Sequence, residues 1–302
     1  MERIDFRDQI ARNKRNSFFM IVLIFAVFVA FGYVIAKILG EGYFFIVMII
    51  SIIFSLVYIL GSYYNSHKIA LASVRARPIN ERNSDEKQFK SLVEGLTLAG
   101  GLPMPKLYVM EMEEINAFAS GRNPDVAVIC VTTGALRKLD KKELEGVLAH
   151  ELGHIANYDI RYMTIVTVVV GLIAIISELF LRSLWFSSVG NDKDSKSGAI
   201  FLIIGIVLAI LAPLIVQLVQ LSISRRREYT ADATAVKFTR YPQGLLGALR
   251  KIKGDTRLGD HGKNERHQVS RALAPMFFSN PFRNILSTHP PIEKRIEILE
   301  RM

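Results

Sequence analysis

Four apolar runs constrain this chain more than anything else in it. Ser17–Leu39 carries one charge, Lys37, near its end, and Tyr43–Gly61 carries none. Met163–Leu181 carries only Glu178, and Ala199–Leu221 has no charge but holds Pro213, Gln217 and Gln220. Helices of about 19 to 23 residues reach roughly 28 to 35 Å, matching a ~30 Å hydrocarbon core. Buried core helices are the rival reading. It is weak for the first two runs, apolar on every face, and stronger for the Met163 run with its glutamate. Half of the chain is hydrophobic and the mean hydropathy is positive, which tells against a soluble protein. The expectation is a mostly α integral membrane protein with four transmembrane helices, two spans being the alternative. The first run exceeds the apolar length of a cleavable signal and leads through Gly40–Gly42 into the second, so it reads as a retained anchor.

Basic residues set the orientation. Arg3, Arg7, Arg12, Lys14 and Arg15 precede the first run, Lys68, Arg75 and Arg77 follow the second, and Arg225 to Arg227 follow the fourth. The opposite linkers are Gly40–Gly42 and Arg182–Gly198, where two lysines and an arginine sit beside Asp192 and Asp194. Both termini and both large polar segments are therefore expected in the cytoplasm. The net charge of +10 is then mostly membrane-flanking. No basic patch is interleaved with aromatics, so nucleic acid is not an expected partner, whereas the lipid bilayer is. The lone Cys130 excludes an intrachain disulfide framework and fits a reducing compartment.

The chain divides into a basic tail (1–16), a membrane hairpin (17–61), a polar segment (62–162), a second hairpin (163–221) and a polar tail (222–302). In the first polar segment, Asp85–Ala99 reads as a helix stopped by Gly100 and Gly101. Leu107–Met112, Asn116–Ser120 and Val126–Thr132 read as strands of a small sheet, the last two joined by turn residues 121–125. Asp140 and Glu143 stand in capping-box spacing, so a helix should start near Lys141. It is expected to be amphipathic, packing Leu144, Leu148, Leu152 and Ile155 inward beside a face of Val147, His150, Glu151, His154 and Tyr158.

His150 and His154 lie four residues apart, so one helix face presents both imidazoles to a single ion. Glu151, next to them, can reach a water on that ion: the HExxH arrangement. A third ligand is needed. The metzincin pattern would require glycine at Asn157 and histidine at Ile160, and neither is present. A glutamate from a second helix is the other route. Glu228 suits it, with Asp232 four residues on to orient a ligand histidine. Two spans between His154 and Glu228 return both to one side of the membrane. The membrane hairpin is expected to continue the two metal-bearing helices and clamp them together.

HELGH at His150–His154, SRRREYTADATA at Ser224–Ala235 and STHPPIEKR at Ser287–Arg295 together resemble the HtpX family of membrane zinc endopeptidases, relatives of the CAAX-type prenyl proteases. The resemblance covers almost the whole chain. It implies a cytoplasmic α+β zincin-like domain with one Zn2+ held by His150, His154 and Glu228, Glu151 as general base and Asp232 in support. It maps an HPP element onto His289–Pro291 with Arg295 following, and implies that His289 or Arg295 steadies the tetrahedral intermediate. It maps a substrate-pairing edge strand onto Asn116, Ala117, Phe118 and Ala119. It also implies unfolded or membrane proteins as substrates, at the cytoplasmic face of a bacterial inner membrane, in quality control under stress. Three other functions compete, of which prenyl-protein processing is disfavoured because so short a chain gives no sign of a large intramembrane chamber. An intramembrane protease would carry its HExxH within an apolar span, whereas here a polar helix carries it. A scaffold or transporter with an inert zinc site would need ionisable groups along its spans, and Glu178 is the only acidic one. Oligomeric state is open.

Overall fold

In a computed structural model, residues 6–39, 41–165, 205, 225–258, 277–278 and 290–302 are described. Helices α1 (Phe6–Leu39) and α2 (Phe44–Ser73) form an antiparallel pair joined by a turn at Glu41–Tyr43. Phe28 packs edge-on against Phe54 and tilts against Tyr58, with centroids 5.8 and 5.6 Å away. The outer face of α2 presents Phe45, Ile46, Ile49, Ile50 and Ile53 without cover, a surface that only lipid satisfies at this length. Two candidate spans follow, Asn13–Ala30 and Glu41–Ser73. Both helices outrun the apolar runs, since α1 takes in most of the basic tail and α2 continues past Gly61. The Met163 and Ala199 runs lie outside the described residues, apart from Met163–Ile165 and Gly205.

Beyond α2 the chain builds a four-stranded sheet. The strands are β1 (Arg77–Pro78), β2 (Lys106–Met110), β3 (Ala117–Ser120) and β4 (Val128–Thr132), in the order β1-β2-β4-β3. β2 runs parallel to β4, and β1 and β3 are antiparallel edges. The two-residue β1, half of it proline, left no pattern to read. Residues 124–126 form a 3-10 turn, so β4 starts at Val128 and not at the expected Val126, whose N–H is taken by the Asn123 side chain. Helix α3 (Ser84–Gly100) is capped by the Asn83 side chain, which accepts from the Asp85 and Glu86 amides, and it ends at Gly101 with φ +63°. That left-handed conformation suits glycine. A short α4 (Thr133–Lys138) follows β4.

α5 (Lys141–Ala156) is the centre of the domain, and Asp140 with Glu143 makes the expected capping box at its start. It was expected to be amphipathic, but every residue from Gly146 to Ile155 is buried. The cause is that its polar residues find partners inside the protein, so no face needs water. Helices α6 (Arg225–Thr239) and α7 (Pro242–Leu258) pack against it, and α8 (Ile292–Leu299) closes the far side. Leu144, Leu148 and Leu152 join Leu245 and Leu249 in one core, each buried leucine contributing about 1.5–3 kcal/mol. Close approach depends on two glycines. A methyl group on Gly146 would sit 2.4 Å from the Leu245 amide nitrogen, and one on Gly153 would sit 3.2 Å from the Ala231 Cα.

The expected continuation of α5 into a membrane helix is not what forms. α5 stops at Ala156, the chain turns through Asn157 and Tyr158, and helix resumes at residues 159–165. Tyr158 takes φ +59°, a conformation costly for a residue with a Cβ. It therefore lies off the helix face assigned to it from the sequence. The turn brings Asp159 back onto the helix it has just left, where it meets His154.

Candidate metal centre

His150 and His154 stand one turn apart on α5 with Nε2 atoms 3.1 Å from each other. Glu228, from the first turn of α6, brings Oε2 3.7 Å from His150 Nε2 and Oε1 3.5 Å from His154 Nε2. All three side chains are buried. The opposite ring nitrogens are taken: His150 Nδ1 is 2.8 Å from Asp232, and His154 Nδ1 is 3.1 Å from Asp159. An ionised carboxylate only accepts, so each Nδ1 donates to its aspartate and each Nε2 is left facing the cluster, free to act as a ligand once it carries no proton. Two deprotonated Nε2 atoms facing each other beside a carboxylate repel unless a cation, a proton or a metal ion, lies among them. Ligands about 2.0–2.1 Å from one tetrahedral ion would be about 3.3–3.4 Å apart. The three separations bracket that distance, so the donor set fits one zinc ion.

The surroundings are tuned by burial and by charge. Burial, helped by Arg295, lowers the His150 pKa to about 4 against the pull of Asp232. Burial also presses on His154, but the bond to Asp159 and the field of Glu228 outweigh it and raise that pKa to about 9. The carboxylates around His154 thus favour a positive charge at this point, whether a proton or a metal. Burial lifts Glu151 to about 7, while the Ala119 backbone amide hydrogen-bonds its carboxylate.

Arg295, from α8, lies behind the ligands and is itself 1% exposed. Its Nε donates to Asp232 Oδ2 at 2.9 Å and its Nη2 to Oδ1 at 2.7 Å, a bidentate pair, with Nη1 3.6 Å from Glu228. Burial works against an ionised Asp232, but Arg295 and His150 outweigh it and hold its pKa below the usual range. His289 lies outside the described residues; Pro290 and Pro291 lead into α8.

Asp159 was not found from the sequence, nor was Asn13. Asp159 is fully buried and accepts from the Asn13 side-chain amide at 2.6 Å. The same amide donates to the Asn157 carbonyl at 3.1 Å, and Lys14 lies over the Tyr158 ring. The N-terminal end of α1 thus grips the turn that positions Asp159. Helical spacing could not reveal Asp159, because a turn with positive φ lies between it and His154. Asn13 is far in sequence and had no signal.

β3 holds Ala117, Phe118 and Ala119, with Asn116 just ahead of it donating from its backbone to the Thr132 hydroxyl. Backbone groups of alternate strand residues point to the same edge. On the outer edge, the Ala119 N–H meets Glu151 and the Ala117 carbonyl accepts from the Phe278 N–H at 2.8 Å. Phe277 pairs with Phe118 as an antiparallel bridge, their rings 5.4 Å apart. The Phe278 ring stands edge-on to His150 at 4.9 Å and beneath the Arg295 guanidinium at 4.8 Å.

Comparison with known proteins places these features among relatives. Residues 83–302 match the model of peptidase family M48. A protease HtpX homolog of Caldanaerobacter subterraneus subsp. tengcongensis is 42% identical over 301 residues, covering 97% of this chain and 96% of the relative. The HtpX homolog of Thermoanaerobacter pseudethanolicus is also 42% identical, over 298 residues and the same shares of each chain. That of Listeria monocytogenes is 36% identical over 310 residues, 98% of this chain and 99% of its own. The crystal structure of Ste24p from S. mikatae shares the fold, with a TM-score of 0.51 at 19% identity, over 96% of this chain and 67% of that one.

Proposed function

The chain belongs to peptidase family M48 and is a membrane metalloprotease, and from that premise we propose a zinc-dependent endopeptidase that cuts unfolded or membrane proteins at the cytoplasmic face of a bacterial membrane. One observation carries the reading: two Nε2 atoms and the Glu228 carboxylate converge while both Nδ1 atoms are held by aspartates. His150, His154 and Glu228 would hold the ion. When bound, zinc supplies Lewis acidity at the scissile carbonyl and lowers the pKa of water.

The rest is the work of the chain. Glu151, held by the Ala119 amide, takes the proton of the attacking water on its carboxylate and passes it to the leaving amine. A pKa lifted toward neutrality by burial suits both halves of that transfer. Asp232 and Asp159 fix the two imidazoles in the tautomer that ligation needs. For Arg295 the geometry supports holding Asp232 and Glu228 in place, since its nitrogens are turned toward those carboxylates. That leaves His289 as the residue to test for the oxyanion. The outer edge of β3 runs past Glu151, so an extended peptide paired there would bring its carbonyl to the base.

The orientation rests on the basic flanks and on Asn13, which puts the N-terminal end of α1 on the side of the metal centre. A role in protein quality control fits a site that engages substrate backbone along a strand edge. The test uses detergent-purified protein stripped by a chelator. Casein cleavage is followed before and after zinc is restored, with Glu151→Gln alongside. Zinc-dependent cleavage missing from the variant is expected; near-wild-type turnover by Glu151→Gln would overturn the reading.

A further inference from the structure

β3 is the last strand of the sheet, yet its outer edge is taken. The Phe278 N–H occupies the Ala117 carbonyl, two residues from the amide that meets Glu151, and Phe277 pairs with Phe118 in antiparallel register. Phe277 and Phe278 are 1% and 3% exposed. A ring that only filled core space would not also need its backbone amide on this one acceptor. Here backbone and side chain are engaged together, as in a peptide added to a sheet edge. Neighbouring strands lie about 4.8 Å apart, so the same stretch of β3 cannot carry this dipeptide and a substrate at once.

We infer that Phe277 and Phe278 hold the place of a substrate strand within the chain itself, and that the pocket filled by the Phe278 ring receives a bulky apolar side chain of the peptide to be cut. The inference rests on the endopeptidase reading above. The pocket has the His150 ring on one side and the Arg295 guanidinium over the ring face. An aromatic side chain meets both on favourable terms, through edge contact and cation–π attraction, and a large aliphatic one fills the same space. A small or acidic one leaves the space empty or places a third carboxylate near those of Asp232 and Glu228. Because the internal dipeptide and the substrate exclude each other, apparent affinity for substrate is reduced by the fraction of molecules in which the dipeptide is seated.

The test uses the zinc-loaded full chain in detergent. Zinc-dependent casein cleavage by the wild type, absent from Glu151→Gln, is the first requirement; without it the endopeptidase reading falls and this inference falls with it. With cleavage in hand, a quenched fluorescent peptide holding a single Phe among Ala, Ser and Gly is compared with its Phe-to-Ala counterpart. The Phe peptide is expected to have a severalfold lower KM, and Phe278→Ala a severalfold lower KM than wild type on casein. Unchanged KM values in both comparisons, with cleavage intact, overturn the inference. Should Phe278→Ala fail to fold, hydrogen exchange on Glu151→Gln keeps the native dipeptide. Saturating Phe peptide is expected to speed exchange at the Phe278 amide, and unchanged protection at saturation overturns the inference.

Discussion

Gly153 lies directly against the backbone of Ala231: a methyl group on Gly153 would come 3.2 Å from both the Cα and the carbonyl oxygen of Ala231, and 3.3 Å from the Thr234 Cβ. This contact sets how near α6 can come to α5, and so how near Glu228 comes to the two histidines. Gly153→Val is expected to push α6 outward, costing about 1–3 kcal/mol in overpacking and weakening zinc binding. Melting of the metal-free protein reads the first effect and competition with a chromophoric chelator reads the second. A zinc affinity equal to wild type would show that the glycine does not set the ligand spacing.

In the proposed site Glu228 would supply the ligand from the second helix, and its removal leaves two facing imidazoles. Glu228→Ala is expected to lose zinc on dialysis, and elemental analysis reads the outcome directly. Full metal content would contradict the ligand set.

The two aspartates behind the histidines should matter by similar amounts. Replacing a residue that orients a metal-bound histidine typically costs 10–100-fold in affinity, so Asp159→Ala and Asp232→Ala are each expected to weaken zinc binding by about that factor. Asn13→Leu removes one donor to Asp159 and is expected to weaken it less, in the same direction. If Asp159→Ala binds zinc as wild type does, the contact with His154 is incidental.

Glu86 gives the domain a pH-dependent element away from the metal. Arg77 grips its carboxylate through two nitrogens at 2.7 and 3.0 Å and the Asn80 amide adds a third bond at 2.6 Å. The hydrogen bonds from Arg77, with the Asn80 amide and the charge of Arg77, outweigh burial and lower its pKa. A group depressed on folding stabilises fully above its unfolded pKa, about 4.3 for glutamate, and the contribution fades as pH falls through the lower folded value. Wild type is therefore expected to melt higher than Glu86→Gln near pH 7, with the gap closing below about pH 4. A gap that stays constant down to acid pH would mean the interaction is not carried by the charge.

Much of the site was legible because its spacing is local. The capping box at Asp140 and Glu143, the His150–His154 pair and the Glu228–Asp232 pair each lie within one helix, where 3.6-residue periodicity fixes which side chains share a face. What could not be read depends on chain direction. The left-handed Tyr158 breaks the periodicity between His154 and Asp159, so the second aspartate stayed hidden although it is as buried as the first. The burial of α5 was missed for a related reason: hydropathy counts His150, Glu151 and His154 as polar whether or not their partners lie inside the protein. β1 was too short to carry a pattern. The bridge from Phe277 to Phe118 joins distant parts of the chain, and nothing local to either residue announces it.

The hydrogen bonds from Asn13 bear on where an enzyme of this kind can be cut. A fragment that starts after the membrane pair would look like a complete catalytic domain, with His150, Glu151, His154 and Glu228 all still present. It would also leave the Asn157 carbonyl and the Asp159 carboxylate without the amide that reaches them from α1, in a place where water is otherwise kept out. The helix that fastens the protein to the bilayer is thus also a brace for the turn behind His154, and dissolving the protease by trimming its anchor would remove that brace.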